Sequence, residues 1–277
     1  MNLLQQIIGL LPNGRSVIRP RKTGITMILD KGLGPAETRD LLEVAGNYID
    51  FIKLGFGTAA LYDPVLLAAK VQLIRSFGIH IYPGGTFLEI AIARGRLPAC
   101  LQQLREIGFT AVEISDGSLT LDPKTRMRAI NLARDAGFMV LAEVGKKNPH
   151  VCPGPLEMAR QAIADLNAGA DWIIVEGREN GSRTWIYDAQ GRLKESVCQA
   201  FLSAVKEPAP IIWEAPRKAQ QVKFINRFGP DVNLGNIPPG ETLTLEAMRR
   251  GLRGDTISLI KGETGACEKP SQESVPV

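Results

Sequence analysis

Short β-branched runs alternate with longer helical patterns along nearly the whole chain. The runs are Ile25–Leu29, Tyr48–Leu54, Ile79–Tyr82, Ala111–Ile114, Phe138–Val144, Trp172–Val175, Ile211–Trp213 and Val232–Leu234. They are nearly all apolar rather than alternating, the pattern of strands covered on both faces of a parallel sheet. Helices are expected between them over Asp63–Phe77, Leu97–Ile107, Pro123–Ala136, Leu156–Ala168 and Gln220–Phe228. Gly78, Gly108, Gly137, Gly169 and Gly229 each stand between a helical pattern and the next run, as helix-stopping glycines do. The repeat predicts a single α/β domain, a (β/α)8 TIM barrel of parallel strands spanning 24–256. A doubly wound open sheet is the alternative, and it requires a reversal of strand order. Residues 1–23 read as an N-terminal helical extension and 257–277, rich in Gly, Ser, Glu and Pro, as a flexible tail. The long polar stretch Arg178–Cys198, with Trp185-Ile186-Tyr187 inside it, reads as a small hairpin or lid.

Charge falls where a barrel would use it. A charged residue at the carboxyl end of a barrel strand faces the site, whereas elsewhere in the strand its burial is costly. Asp30, Glu113, Asp116, Glu143, Glu176 and Glu214 follow or close the runs, as do Lys31, Lys53, Lys146, Lys147, Arg178 and Arg217. Glu113, Glu143 and Glu176 close consecutive runs. They either converge on one hard cation such as Mg2+ or pair with the nearby lysines and arginines in a buried network. Lys53 sits in an apolar run, where it meets either a substrate anion or the carboxylate of Asp30 or Glu113. Gly84 and Gly85, and Gly235 with Asn236 after the last run, offer backbone N–H groups to a phosphate or carboxylate. Arg249-Arg250-Gly251-Leu252-Arg253 is either a helix end placed favourably against its dipole or an anion-binding run. His80 reads as a core histidine, and His150 as a loop residue.

Composition narrows the classes. The 277 residues carry 33 basic and 29 acidic side chains, too balanced to argue for nucleic acid. Cys100, Cys152, Cys198 and Cys267 form no CxxC pair, so zinc is disfavoured and reduced thiols of a cytoplasmic protein are expected. No apolar stretch approaches the about 18 residues of a membrane span. No Ser-His-Asp, Cys-His, HExxH or strand-following GxGxxG pattern is present, which excludes the hydrolytic triads, zinc proteases and nicotinamide fingerprints those motifs mark.

Several segments together resemble the phosphosulfolactate synthase family. They are Leu29-Asp30-Lys31-Gly32-Leu33, Tyr48–Gly55, Tyr82-Pro83-Gly84-Gly85-Thr86, Val112–Gly117, Glu143-Val144-Gly145-Lys146-Lys147, Val175–Glu179, Glu214-Ala215-Pro216, Val232-Asn233-Leu234 and Arg250–Thr256. The one departure is Phe87-Leu88, where the family has Leu-Phe; it leaves Glu89 in place. The resemblance implies a Mg2+-dependent barrel enzyme, cytoplasmic and homo-oligomeric, adding sulfite to phosphoenolpyruvate to give (2R)-2-phospho-3-sulfolactate on a route to coenzyme M or sulfolactate. Under it, Glu113, Glu143 and Glu176 hold the metal. Lys147, or Lys146 in its stead, donates a proton with a pKa lowered toward neutrality. Lys31, Lys53, Gly84, Gly85, Arg178, Arg217, Asn233 and Gly235 hold the substrate anions. Another barrel lyase working on an enolate, or a non-catalytic stress-associated homologue, would present the same fold.

Overall fold

The computed structural model describes residues 3–4, 19–148, 151, 153–206 and 210–259. Most of the 1–23 extension and of the 257–277 tail, together with His150, Cys152 and Cys267, lies outside the described residues.

Eight parallel strands form one sheet: β1 (Thr26–Asp30), β2 (Phe51–Leu54), β3 (His80–Pro83), β4 (Ala111–Ile114), β5 (Met139–Val144), β6 (Trp172–Val175), β7 (Ile211–Glu214) and β8 (Leu234–Ile237). Their order is β3-β2-β1-β8-β7-β6-β5-β4, so the first and last strands of the chain pair and the sheet curls into a barrel. The seam between β3 and β4 is bridged by the Thr110 N–H, which donates to Ile81 C=O at 3.2 Å. Helices α1 (Pro35–Ala45), α2 (Pro64–Ser76), α3 (Gly85–Ala93), α4 (Leu97–Ile107), α5 (Pro123–Asp135), α6 (Pro155–Ala168), α7 (Glu195–Val205), α8 (Lys218–Phe228) and α9 (Thr242–Arg249) alternate with the strands. The barrel expectation therefore holds, and the open-sheet alternative does not.

Local sequence explains the helix ends. Asp63 precedes Pro64 and accepts the Val65 and Leu66 N–H groups at 2.9 and 3.1 Å; Asp122 does the same for α5 before Pro123. Both pair a capping carboxylate with a proline whose missing N–H costs nothing in the first turn. At the other end, Gly108 and Gly169 adopt φ of 103° and 105°, which only glycine takes without strain.

One strand differs from its expected position. The run Val232–Leu234 was expected to end before Gly235, but β8 is Leu234–Ile237. Between Thr26↔Leu234 and Ile28↔Ile237 the register gains a residue, and Asn236 carries φ 54°. Gly-Asn reads as a turn in sequence; here it is a β-bulge that keeps the strand going. Gly235 suits the strand interior, because a Cβ there would press on the end of the Met27 side chain and lie 3.1 Å from Ile212 Cγ2.

Two apolar layers hold the fold. One lies between strands and helices. The other fills the barrel's amino half with Ile25, Met27, Phe51, Tyr82, Leu141, Trp172, Ile174 and Ile212. Phe51 stacks on His80 at 5.3 Å and meets Trp172 edge-on, so His80 is indeed a packed histidine, with Nδ1 3.2 Å from Thr110 Oγ1. The Arg178–Cys198 stretch is a tight hairpin with an antiparallel bridge between Tyr187 and Leu193. Trp185, Ile186 and Tyr187 are buried, and the Tyr187 hydroxyl donates to Glu214 C=O at 2.7 Å. It is a fixed wall rather than a loose flap.

The basic run closing α9 is structural. Arg249 is fully buried, and its guanidinium donates to Pro230 C=O at 2.5 Å, Val232 C=O at 2.6 Å and Ile25 C=O at 3.1 Å. It thereby joins the segments entering β1 and β8. Arg250 pairs with Glu246 at 2.7 Å. Charge-assisted bonds to buried carbonyls are the strong kind. Arg249→Leu is expected to lower unfolding free energy by about 3 kcal/mol, read by urea denaturation. A loss below about 1 kcal/mol would remove the brace role.

Candidate active site

The inward-facing positions of the strands change character over two residues. Phe51, Ala111, Leu141 and Ile212 fill the barrel; two residues later on the same face stand Lys53, Glu113, Glu143 and Glu214. Ile174 is followed in the same way by Glu176, just past β6. Period-two alternation thus lifts every charged group to one level at the carboxyl end.

Lys53 is the centre of this level. Its ammonium lies 2.8 Å from Glu113, 3.3 Å from Glu214 and 3.5 Å from Glu143. Burial works against its charge, but Glu113, Glu214 and Glu143 outweigh it and raise the lysine pKa well above its usual value. The ion-pair reading of Lys53 is therefore realised with Glu113. Asp30 instead pairs with Lys70 at 2.6 Å and accepts the Gly32 and Leu33 N–H groups.

The carboxylates divide into two kinds. Glu113 accepts the Gly85 N–H at 2.7 Å. Burial raises its pKa to about 7, with Lys53 opposing. Glu143, Glu176 and Glu214 bring oxygens within 4.8 Å of one another, and all three are buried. Both oxygens of Glu143 and Oε2 of Glu176 receive no hydrogen bond. Burial works against ionisation of Glu143, but Lys147 and Lys53 hold it at about 2. Burial, then Glu143 and Glu214, pushes Glu176 well above the carboxylate range. Like charges this close oppose one another's ionisation. Glu214 differs, since its oxygens accept from Lys53 and from the Gly177 N–H at 2.9 Å. The donor-free oxygens of Glu143 and Glu176, with Glu214 beside them, form a set that suits a hard divalent cation. The group of three thus contains Glu214 where the sequence suggested Glu113.

The pocket at the carboxyl end has a cavity volume of about 170 Å³. Lys53, Gly84, Gly85, Glu143, Lys147, Glu176 and Arg178, all expected at the site, line it. Lys147 points its ammonium at Glu143 (3.7 Å) and Glu176 (3.9 Å), and at Thr86 Oγ1, 3.2 Å away. Glu143 raises its pKa, against burial, so the lowering expected for a proton donor is not found; the adjoining carboxylates are the reason. The other expected residues lie elsewhere. Lys146 is bound to Asp116, which also meets Arg126. Lys31 is exposed and pairs with Glu179 at 3.5 Å. Arg217 donates to Asn180 and Gln190 carbonyls and braces the hairpin. Asn233 bonds Ile25 N–H and Ile211 C=O at the amino end of β8, away from the pocket. Gly235 lies within β8 against Met27.

Phe56 and Glu179 line the pocket without having been expected there, as does the Thr86 side chain; Asn236, expected to offer its backbone N–H, lines it too. Asn236 is buried, and its Oδ1 has no donor. The Gly-Asn pair was visible in the sequence as a candidate; the bulge at Asn236 was not.

The (2R)-phospho-3-sulfolactate synthase (ComA) family model matches residues 15–255. The chain is 47% identical over 244 residues to phosphosulfolactate synthase of Methanothermobacter thermautotrophicus, covering 87% of this chain and 94% of that one. It is 44% identical to that of Methanocaldococcus jannaschii, covering 86% and 95%, and 32% identical to that of Bacillus subtilis, covering 87% and 95%. Among solved structures, 3-hexulose-6-phosphate synthase of Salmonella typhimurium superposes with a TM-score of 0.53 at 18% identity, over 86% of this chain and 99% of that one. Phosphonopyruvate hydrolase in complex with oxalate and Mg2+ gives 0.53 at 14%, over 91% and 87%. Those two likenesses describe the barrel alone. The family match and the relatives span nearly the whole barrel, and the chain belongs to the phosphosulfolactate synthase family.

Proposed function

We propose that this protein joins sulfite to phosphoenolpyruvate, giving (2R)-2-phospho-3-sulfolactate. Family membership supports the reaction, and the observation that carries it in the structure is the pairing of a proton-bearing Lys147 with three converging carboxylates in one pocket. Both substrates are anions, and Lys53, Lys147 and Arg178 line the pocket. Arg178 supplies a guanidinium suited to an oxyanion. Gly84 and Gly85 line the same space, but their N–H groups are already given to Leu54 C=O and to Glu113, so the anion charge is left to the side chains.

In the proposed reaction the sulfur lone pair forms a bond to the methylene carbon. The electrons of the carbon–carbon double bond move into the carboxylate, giving an aci-carboxylate dianion. Glu143, Glu176 and Glu214 would hold Mg2+, whose charge offsets that developing on the carboxylate. Lys147 then gives a proton to the carbon bearing the phosphate, on one face, which sets the configuration. The raised pKa keeps Lys147 protonated at neutral pH, the state a proton donor needs before the transfer. Lys146 is held by Asp116 and does not line the pocket, so the role falls to Lys147. Lys53 stays bound among Glu113, Glu143 and Glu214 and keeps the three apart from full mutual repulsion.

Purified protein with phosphoenolpyruvate, sulfite and Mg2+ is expected to form phosphosulfolactate, seen by phosphorus NMR, and to stop forming it in EDTA. A folded protein that forms none would overturn the reading. Lys147→Ala should lower kcat by about 100-fold or more while phosphoenolpyruvate still binds, as loss of a general acid does. Wild-type turnover in that variant would refute the proton-donor role.

A separate measurement addresses the cation. In calorimetric titration with Mn2+, Glu214→Gln is expected to weaken binding by on the order of 10-fold or more, while Glu113→Gln changes it little. The reverse order would return Glu113 to the ligand set.

A further inference from the structure

Helix α3 reads Gly-Thr-Phe-Leu-Glu-Ile-Ala-Ile-Ala, and Glu89 is its one charged residue. Glu89 is fully buried. A carboxylate in an apolar helix, taken wholly out of water, is costly unless its oxygens are satisfied. No cation pairs with it among the described residues. Its donors are instead gathered from one short loop after β4. Oε1 accepts the Ser115 hydroxyl at 2.5 Å and the Gly117 N–H at 3.1 Å; Oε2 accepts the Ser118 N–H at 3.1 Å and the Leu119 N–H at 2.7 Å. Consecutive backbone N–H groups turned onto one carboxylate hold the loop in a single shape.

That loop lies against three residues that line the pocket: Lys147, Glu143 and, through Ser115, Gly85. The Gly117 C=O accepts the Lys147 N–H at 3.0 Å. A Cβ on Gly117 would lie 3.3 Å from Lys147 Cε and Cγ, and 3.3 Å from Glu143 Oε1, so the loop backbone lies directly against the lysine stem. One turn earlier on α3, Thr86 holds the other end of the same side chain, with Oγ1 3.2 Å from Nζ. Thr86 and Glu89 are three residues apart and so share a helix face. The face supports Lys147 twice: Thr86 at the ammonium and Glu89, through the loop, at the backbone and stem.

The geometry points to Glu89 as a positioning residue for Lys147, acting through the loop 115–119 without touching substrate. This rests on the reading of Lys147 as the proton donor. The ammonium must reach one carbon from one face, and a displacement of about 1 Å in such a group is enough to cost on the order of 100-fold in rate. None of residues 115–119 lines the pocket, so the defect should fall on kcat rather than KM.

The test is a double-mutant cycle with purified full-length protein, Mg2+, phosphoenolpyruvate and sulfite. Glu89→Gln replaces one accepting oxygen with an NH2 facing N–H donors. It is expected to lower kcat by on the order of 10- to 100-fold with KM for phosphoenolpyruvate within about twofold. In the Lys147→Ala background the same change should cost less than about twofold. A purely structural role would lower the melting temperature and cost the same factor in both backgrounds, and that result overturns the proposal. If Glu89→Gln does not fold, Gly117→Ala serves instead. It pushes on the lysine stem directly and should lower kcat several-fold, about 1 kcal/mol of barrel-independent barrier, with an unchanged melting temperature; unchanged kcat overturns the proposal. Full turnover in Lys147→Ala alone overturns the reading of Lys147 and this proposal with it. A crippled Lys147→Ala with multiplying effects overturns only the positioning role.

Discussion

One ammonium group sets the terms for the carboxyl end of this barrel. Lys53 lies between Glu113, Glu214 and Glu143, all out of water. A lysine alone there would shed its proton, and the carboxylates alone would keep theirs. Together they hold charge in an interior that otherwise excludes it, and only if the strands keep the register that sets them side by side. Lys53 pairs across β2 and β3 with Tyr82 and across β1 and β2 with Leu29, so its height is set by both neighbours. A slip of one residue would turn the charged set outward against the helices. The apolar residues two positions earlier, Phe51, Leu141 and Ile212, prevent that slip by filling the barrel from below.

The same arrangement explains why the pocket combines strong ion pairs with unmet acceptors. Glu113 pairs with Lys53 through Oε2, which accepts no hydrogen bond, and takes the Gly85 N–H on Oε1. Glu143 and Glu176 lack donors on oxygens that face one another, and Lys147 stands just beyond hydrogen-bonding reach of both. Unmet buried acceptors destabilise a fold, and they persist where a ligand completes them. Stability is supplied from the other end, where Arg249 gathers three carbonyls and the aromatic group around Phe51 fills the interior. Division of labour between the two faces of a barrel is the general pattern for this fold.

Periodicity made the strands legible. β4 and β6 fall where the apolar runs place them, and a charged residue at the carboxyl end of β2, β5, β6 and β7 reached the pocket. What sequence could not resolve was which polar group meets which. Glu113 is the penultimate residue of β4 and Glu214 the last of β7, and only the closure of the barrel shows that the first turns to Gly85 and the second lies near Glu143 and Glu176. Lys146 and Lys147 are adjacent, so opposite sides of the chain receive them. Asp116 claims the first, through a loop whose shape depends on Glu89 in a different helix. Arg217 and Asn233 carry plausible chemistry and are used for bracing instead. Arg217 ties the hairpin, and Asn233 ties the amino end of β8. Such assignments depend on contacts far apart in the chain, which no local pattern encodes.

Backbone strain marks the same pocket independently of charge. Phe56, Arg178 and Asn236 are non-glycine residues with φ of 56°, 59° and 54°, and all line it. Each such conformation costs on the order of 1 kcal/mol and survives only when its surroundings enforce it. At Asn236 the enforcement is visible: the bulge adds a residue to β8, and the Nδ2 group reaches toward Arg178 C=O at 3.5 Å. A glycine at 236 would relieve the strain but remove the amide, and a straight strand would turn that amide away from the pocket. The bulge therefore exchanges backbone comfort for the aim of a side chain. With Arg178 held left-handed opposite it, β6 and β8 present their polar groups to a common space that regular strands would leave to solvent.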